Sequence, residues 1–96
     1  MGYTPRLVPF TRSYTVAGAL TDAEGKLVGG ARVEAILKEK GKKVFSVTND
    51  AGVFFLENLQ QGTYDLFING EPAQPQNITI DGNSEAMQEL NLKLFL

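Results

Sequence analysis

Regularly spaced turn signals separate short, strand-like segments, and this feature most limits what the chain can fold into. Turn-forming residues recur about every 8 to 14 residues along the sequence. The stretch from Asp50 to Tyr64 is the clearest case, because a turn at Gly52 leads into alternating apolar and polar side chains. The spacing predicts an all-β fold: a seven-stranded, antiparallel Greek-key β-sandwich of the Ig-like or prealbumin-like kind.

The chain divides into a short lead and one domain. Residues 1–12 contain Pro5 and Pro9, which favour extended backbone and exclude a central strand. We therefore expect residues 1–12 to be an extended lead or linker, with an eighth strand if the lead pairs at a sheet edge. Residues 13–96 are predicted to form the sandwich. The extended opening also suggests that the chain is a fragment of a larger protein.

Alternation assigns a buried face to most predicted strands. Gly18, inside the first strand, indicates a bulge or a close backbone approach. Residues 71–76 contain two prolines and are predicted to be a loop, while the alternation of leucines from Leu90 predicts a final strand. The predicted inward-facing residues are Tyr14, Val16, Leu20, Val33, Ala35, Leu37, Phe54, Leu56, Tyr64, Leu66 and Ile68.

Composition removes several classes of function. The chain has 43% hydrophobic residues, a net charge of −2, and neither cysteine nor histidine. Disulfides, thiol or histidine catalysis and the usual zinc sites are therefore excluded. Lysines cluster between Lys38 and Lys43, but Glu34 and Glu39 lie among them, so we expect a solvated hairpin tip and no nucleic-acid partner.

No arrangement of residues predicts an enzyme, a cofactor or a metal. Ser13, Ser46 and Ser84 have no histidine to activate them. Oxygen-bearing side chains in the loops admit a calcium site, but their spacing matches no calcium-binding loop. The preferred interpretation is that they cap their own turns. These loop residues are Asp22, Glu24, Asn49, Asp50 and Asn58.

Two blocks of residues carry a resemblance to a known family. The first block is Gly18, Leu20, Asp22, Gly25, Val28, Gly30, Ala31 and Val33. The second is Thr48, Asp50, Gly52, Phe54, Leu56, Leu59, Gly62, Tyr64, Leu66 and Ile68. In this order and spacing the chain resembles the carboxypeptidase regulatory-like, transthyretin-type sandwich domains. The resemblance implies an accessory domain without catalytic residues of its own.

The opening of the chain carries a narrower resemblance. The segment from Tyr3 to Gly18 looks like the entry to the C-terminal domain of outer-membrane fimbrial ushers. That resemblance implies a location in the cell envelope, on the periplasmic face of the outer membrane, or outside the cell. It also implies a periplasmic chaperone–subunit complex as protein partner, in a parent chain embedded in the membrane. We expect the isolated domain to be a monomer.

Four apolar residues at positions that alternation leaves outside the core are candidates for a partner-binding surface: Ile36, Phe55, Phe67 and Phe95. An exposed edge strand is the other candidate, because an extended partner segment can add to it. Two alternative functions stay open: a structural spacer in a surface or secreted protein, and a carbohydrate-binding module. The chain has no tryptophan and three tyrosines from which to build a sugar-binding platform.

Overall fold

The computed structural model describes residues 13–94, which form eight β-strands. The predicted lead over residues 1–12 and the candidate Phe95 lie outside the described residues. No helix long and apolar enough to span a membrane occurs among residues 13–94. The strands are β1 (Tyr14–Thr21), β2 (Arg32–Leu37), β3 (Lys43–Val47), β4 (Val53–Leu59), β5 (Gly62–Ile68), β6 (Glu71–Ile80), β7 (Met87–Glu89) and β8 (Leu92–Lys93).

The strands form two facing layers joined at one side. Neighbouring strands follow the order β3-β2-β5-β6-β8-β1-β4, and β7 also pairs with β1. One residue pair, Gln74 with Lys93, joins β6 to β8 and so connects the layers. The predicted all-β class is confirmed, with two differences: eight strands are present, and β1 runs parallel to both β7 and β8.

The core lies between the layers and follows the predicted alternation. All of the predicted inward-facing residues are buried. Sheet register explains the contacts, because Leu37 pairs with Tyr64 and Val33 with Ile68 in one layer. The Tyr64 hydroxyl accepts a hydrogen bond from the Gln60 amide at 2.8 Å, so this buried polar atom is satisfied.

Gly18 permits the close backbone approach expected from its position in β1. It lies beside the junction of β7 and β8, where the Leu90 amide donates to the Ala17 carbonyl at 2.9 Å. A Cβ atom at Gly18 would overlap the Leu90 carbonyl oxygen. In the predicted final strand Leu92 is buried, as its alternation indicates. The strand is shorter than predicted, because β8 is Leu92–Lys93, and β7 lies before Leu90.

The prediction of a loop over residues 71–76 was wrong, because these residues belong to β6. Asn69 and Gly70 both have positive φ, which is typical of a two-residue hairpin turn. The hairpin pairs Ile68 with Glu71 and Phe67 with Pro72. The register with β5 then shifts before pairing resumes at Asp65. Pro75 lies in this irregular stretch, where its missing N–H interrupts no regular pairing.

Candidate interaction surface

Strand β3 presents two large apolar side chains to solvent. It is the end strand of its layer and has β2 as its paired neighbour. Phe45 is 54% exposed and Val47 is 56% exposed, because both lie on the outer face of the layer. Val44 and Ser46 point to the other side and are half-buried. We call Lys43, Phe45 and Val47 the β3 edge.

The charged groups around Phe45 are paired with one another. The Arg32 guanidinium lies 4.0 Å from the centre of the Phe45 ring. Glu34 contacts both Arg32 and Lys43, each at 3.5 Å, and its side chain is much less exposed than either. The Arg32 charge is therefore paired with both the Phe45 ring and the Glu34 carboxylate. As a result, the outer face beside the β3 edge has no large excess of one charge.

Ile36 and Phe67, two of the predicted candidates, lie on the outer face of the same layer. Ile36 pairs with Asp65, and Phe67 pairs with Glu34 on the adjacent strand. Both are half-buried, so each gives less apolar area to a partner than Phe45 does. The fold therefore brings these two candidates together on the outer face that carries the β3 edge.

Phe55, the third candidate, lies on the other layer. It is 48% exposed and belongs to β4, the strand at the opposite end of the order. Its amide donates to the Ser46 hydroxyl oxygen at 3.1 Å, and this bond draws the edge of β4 towards β3. The candidates are thus distributed over two faces that meet at one side of the sandwich, and Phe95 lies outside the described residues.

Phe45 and Val47 were missed by the sequence interpretation. Strand β3 has apolar residues on both of its faces, Val44 on one and Phe45 and Val47 on the other. Periodicity alone cannot decide which face is inward in such a strand. The sequence did contain one signal for their exposure. Phe45 and Val47 lie on the same face of the strand as Lys43, and a lysine must reach solvent.

A shallow groove of about 520 Å³ crosses the outer face of the second layer. Its floor is formed by Ala17 and Ala19, and Val53 and Met87 lie at its sides. Glu85 and Glu89 add negative charge at the β7 side. The groove exists because the side chains of β1 are small and those of the neighbouring strands are larger. Among the described residues, no lysine or arginine lines the groove.

Two of the five loop residues, Asp22 and Asn49, cap their own turns, as preferred in the sequence interpretation. The Asp22 carboxylate accepts hydrogen bonds from the amides of Glu24 and Lys26 at 2.8 and 3.0 Å. The Asn49 side-chain oxygen accepts from Ala51 and Val53 at 2.9 and 3.0 Å. The bond from the Lys26 amide is the largest cause that lowers the pKa of Asp22 below its ordinary value of 3.8.

The described residues contain no group of three or more acidic residues able to hold a metal ion. Thr48 is their one buried polar residue, and its hydroxyl accepts a hydrogen bond from the Ala31 amide at 2.9 Å. Every buried side-chain nitrogen or oxygen in this range has a hydrogen-bond partner. Tyr14 and Tyr64 are buried in the core, so neither can supply a sugar-binding platform.

Comparison with known proteins identifies one family. The sequence profile described as the carboxypeptidase regulatory-like domain matches residues 15–94. This range includes every strand except the first residue of β1. No curated protein matches the chain.

Solved structures of a bacterial pilin have a similar fold. BcpA, the major pilin subunit of Bacillus cereus, superposes with a TM-score of 0.63 at 17% identity over 84% of this chain. A variant form of the same pilin gives 0.62 at 18% identity over 83%. The chain spans 29% of the length of each pilin chain.

Proposed function

Because the chain belongs to the carboxypeptidase regulatory-like domain family, we propose that it is a non-catalytic accessory module of a cell-surface or extracellular protein, with a role related to pili. In this proposal the domain makes protein–protein contacts. It is supported by the all-β fold that the chain shares with a pilin. It is also supported by the structural roles of polar side chains in the described range: Asp22 and Asn49 cap turns, and Thr48 makes a hydrogen bond in the core.

The observation that carries the proposal is the side of the sandwich where the two end strands meet. Phe45, Val47 and Phe55 are each about half exposed there. End strands with exposed apolar residues are the usual sites at which extended partner segments add to a sheet. A domain that made no contact with another protein or domain would gain no stability from exposing large apolar side chains to water.

A structural spacer is the second candidate. The chain spans 29% of the pilin chains to which it is similar, as one of several consecutive domains would. In that role the exposed residues contact the neighbouring domain of the same protein, and no separate partner is required. The two candidates differ in whether the contact is made within one chain or between chains.

The narrower proposal is that of an usher C-terminal domain on the periplasmic face of the outer membrane, which receives chaperone–subunit complexes. It rests on the phrase from Tyr3 to Gly18. The partner would then be a complex whose exposed strand adds to β3. Titration of the purified chain with chaperone–subunit pairs tests this role, and an absence of binding by every pair from the same operon would reject it.

The general proposal is tested by site-specific photo-crosslinking in the producing cell. A photoreactive phenylalanine analogue is placed at Phe55, with Leu27 as the control position because it is 58% exposed. We expect the Phe55 position to capture an envelope or pilus protein, or a neighbouring domain of its own chain, and Leu27 to capture neither. Equal capture at both positions would contradict an interaction surface at Phe55.

A further inference from the structure

Within residues 13–94, no strand pairs with the backbone on the outer side of β3. The Leu37 amide donates to the Lys42 carbonyl, and the Thr48 amide donates to the Ala31 carbonyl, each at 2.8 Å. Hydrogen-bonded pairs alternate along an antiparallel ladder, so Lys42, Val44, Ser46 and Thr48 direct their backbone groups to β2. The backbone groups of the β3 edge therefore point away from the sheet.

We propose that β3 pairs antiparallel with β3 of a second copy of this chain, about a two-fold axis at Phe45. In this register Phe45 lies opposite Phe45 of the other copy, and Lys43 lies opposite Val47. Each is a hydrogen-bonded pair, because all three residues direct their backbone groups outwards. The two aromatic side chains then lie side by side on the outer face, where cross-strand aromatic pairs stabilise sheets.

The edge lysine does not oppose this pairing. Lysine on an edge strand commonly prevents sheet-to-sheet association. Here the Lys43 ammonium is 3.5 Å from a Glu34 oxygen, and Glu34 also contacts Arg32. The charge that would repel a second copy is thus engaged with a neighbour on its own sheet.

Charges at the ends of β3 favour antiparallel pairing with a second copy. The hairpin tip before β3 contains Lys40 and Lys42, whereas Asp50 is the sole charged residue from Val44 to Leu56. The two-fold register brings Lys40 of one copy towards Asp50 of the other, once at each end of the paired strands. A parallel arrangement would instead bring the two lysine-rich tips together, where like charges repel.

The contact is small and gives a weak dimer, in place of the monomer expected from the sequence. Pairing of two five-residue strands buries much less surface than the roughly 1,200 to 2,000 Å² of a stable complex. Weak contacts of this kind persist where effective concentrations reach the millimolar range. The inference does not depend on the proposed pilus-related role, since it concerns the isolated chain.

Disulfide trapping tests the register, because the chain has no cysteine of its own. F45C places two thiols at the axis, where the Cα atoms of a hydrogen-bonded pair are about 5.5 Å apart, within disulfide reach. L27C and M87C are controls at similarly exposed positions outside the interaction surface. We expect a covalent F45C dimer to form at least about 10-fold faster than either control. Equal rates, or faster trapping of a control, would overturn the proposal.

Charge exchange tests the pairing without cysteine. Sedimentation of the wild-type chain over a range of concentrations is expected to show a monomer–dimer equilibrium. K40E and D50K should each raise the dissociation constant about 2- to 10-fold, and the K40E/D50K double variant should restore it. Monomer at every concentration up to about 1 mM, or additive loss in the double variant, would overturn the proposal.

Discussion

Gly18 and Gly25 are glycines for different physical reasons. Gly18 has ordinary strand geometry, and a Cβ atom there would meet the backbone oxygen of Leu90. Gly25 has a φ of 83°, and no atom lies within 4 Å of the place that a Cβ atom would take. The first position needs space and the second needs left-handed backbone.

Alanine substitution separates these two requirements. G18A is expected to lower the free energy of unfolding by about 3 kcal/mol or more, because two packed strands must move apart. G25A should lower it by about 1 to 2 kcal/mol, the conformational cost alone. Urea denaturation measures both, and a G18A cost no larger than that of G25A would contradict the steric account.

Asp22 makes stability depend on pH in a defined direction. Hydrogen bonds from the amides of Lys26 and Glu24 lower its folded-state pKa below 3.8. Its contribution is therefore fully present above the unfolded pKa and is lost as pH falls through the folded pKa. We expect the stability advantage of wild type over D22N to shrink between about pH 5 and pH 2. An advantage that does not change with pH would exclude this role.

At the scale of the strand, β4 places adjacent phenylalanines in opposite environments. Phe54 is fully buried and Phe55 is 48% exposed. F54A should reduce the free energy of unfolding by about 3 to 5 kcal/mol, because it leaves a cavity in the core. F55A is the matched control and should change it by about 0.5 kcal/mol or less. Similar losses in the two variants would show that β4 is assigned to the wrong face.

Strands β4 and β6 illustrate how far local pattern predicts an element. In β4 the inward positions Phe54 and Leu56 were predicted correctly, although Phe55 between them is also apolar. In β6, Pro72 and Pro75 gave a stronger local signal than the hairpin, and the segment was predicted to be a loop. Pairing with β5 through the Asn69-Gly70 turn outweighs that signal. The Asn-Gly pair is itself a local hairpin signal, and the sequence interpretation gave it less weight than the prolines.

At the scale of the molecule, one core joins two layers that share little backbone pairing. The link between β6 and β8 is the single pair of Gln74 with Lys93. Tyr14 in one layer and Tyr64 in the other are both buried in the same cluster. Neither layer can bury its apolar face without the other, so the domain should fold as one unit.

This dependence predicts a single cooperative unfolding transition. Each variant is made in a Y3F background, because Tyr3 would otherwise also fluoresce. In Y3F/Y64F the remaining tyrosine is Tyr14, in the layer containing β1, and in Y3F/Y14F it is Tyr64, in the layer containing β5. Tyrosine fluorescence of each variant should give the same urea midpoint as far-ultraviolet circular dichroism of that variant. Midpoints that differ between the two probes would mean that one layer unfolds before the other.

The sequence by itself determined the all-β class, the inward faces of most strands and the capped turns at Asp22 and Asn49. These features depend on contacts between near neighbours, which alternation and turn residues encode directly. Only the tertiary structure decided that Phe45 and Val47 are exposed and that Phe55 lies on a different layer from Ile36 and Phe67. Exposure depends on which strands end a layer, and strand order is set by long-range pairing.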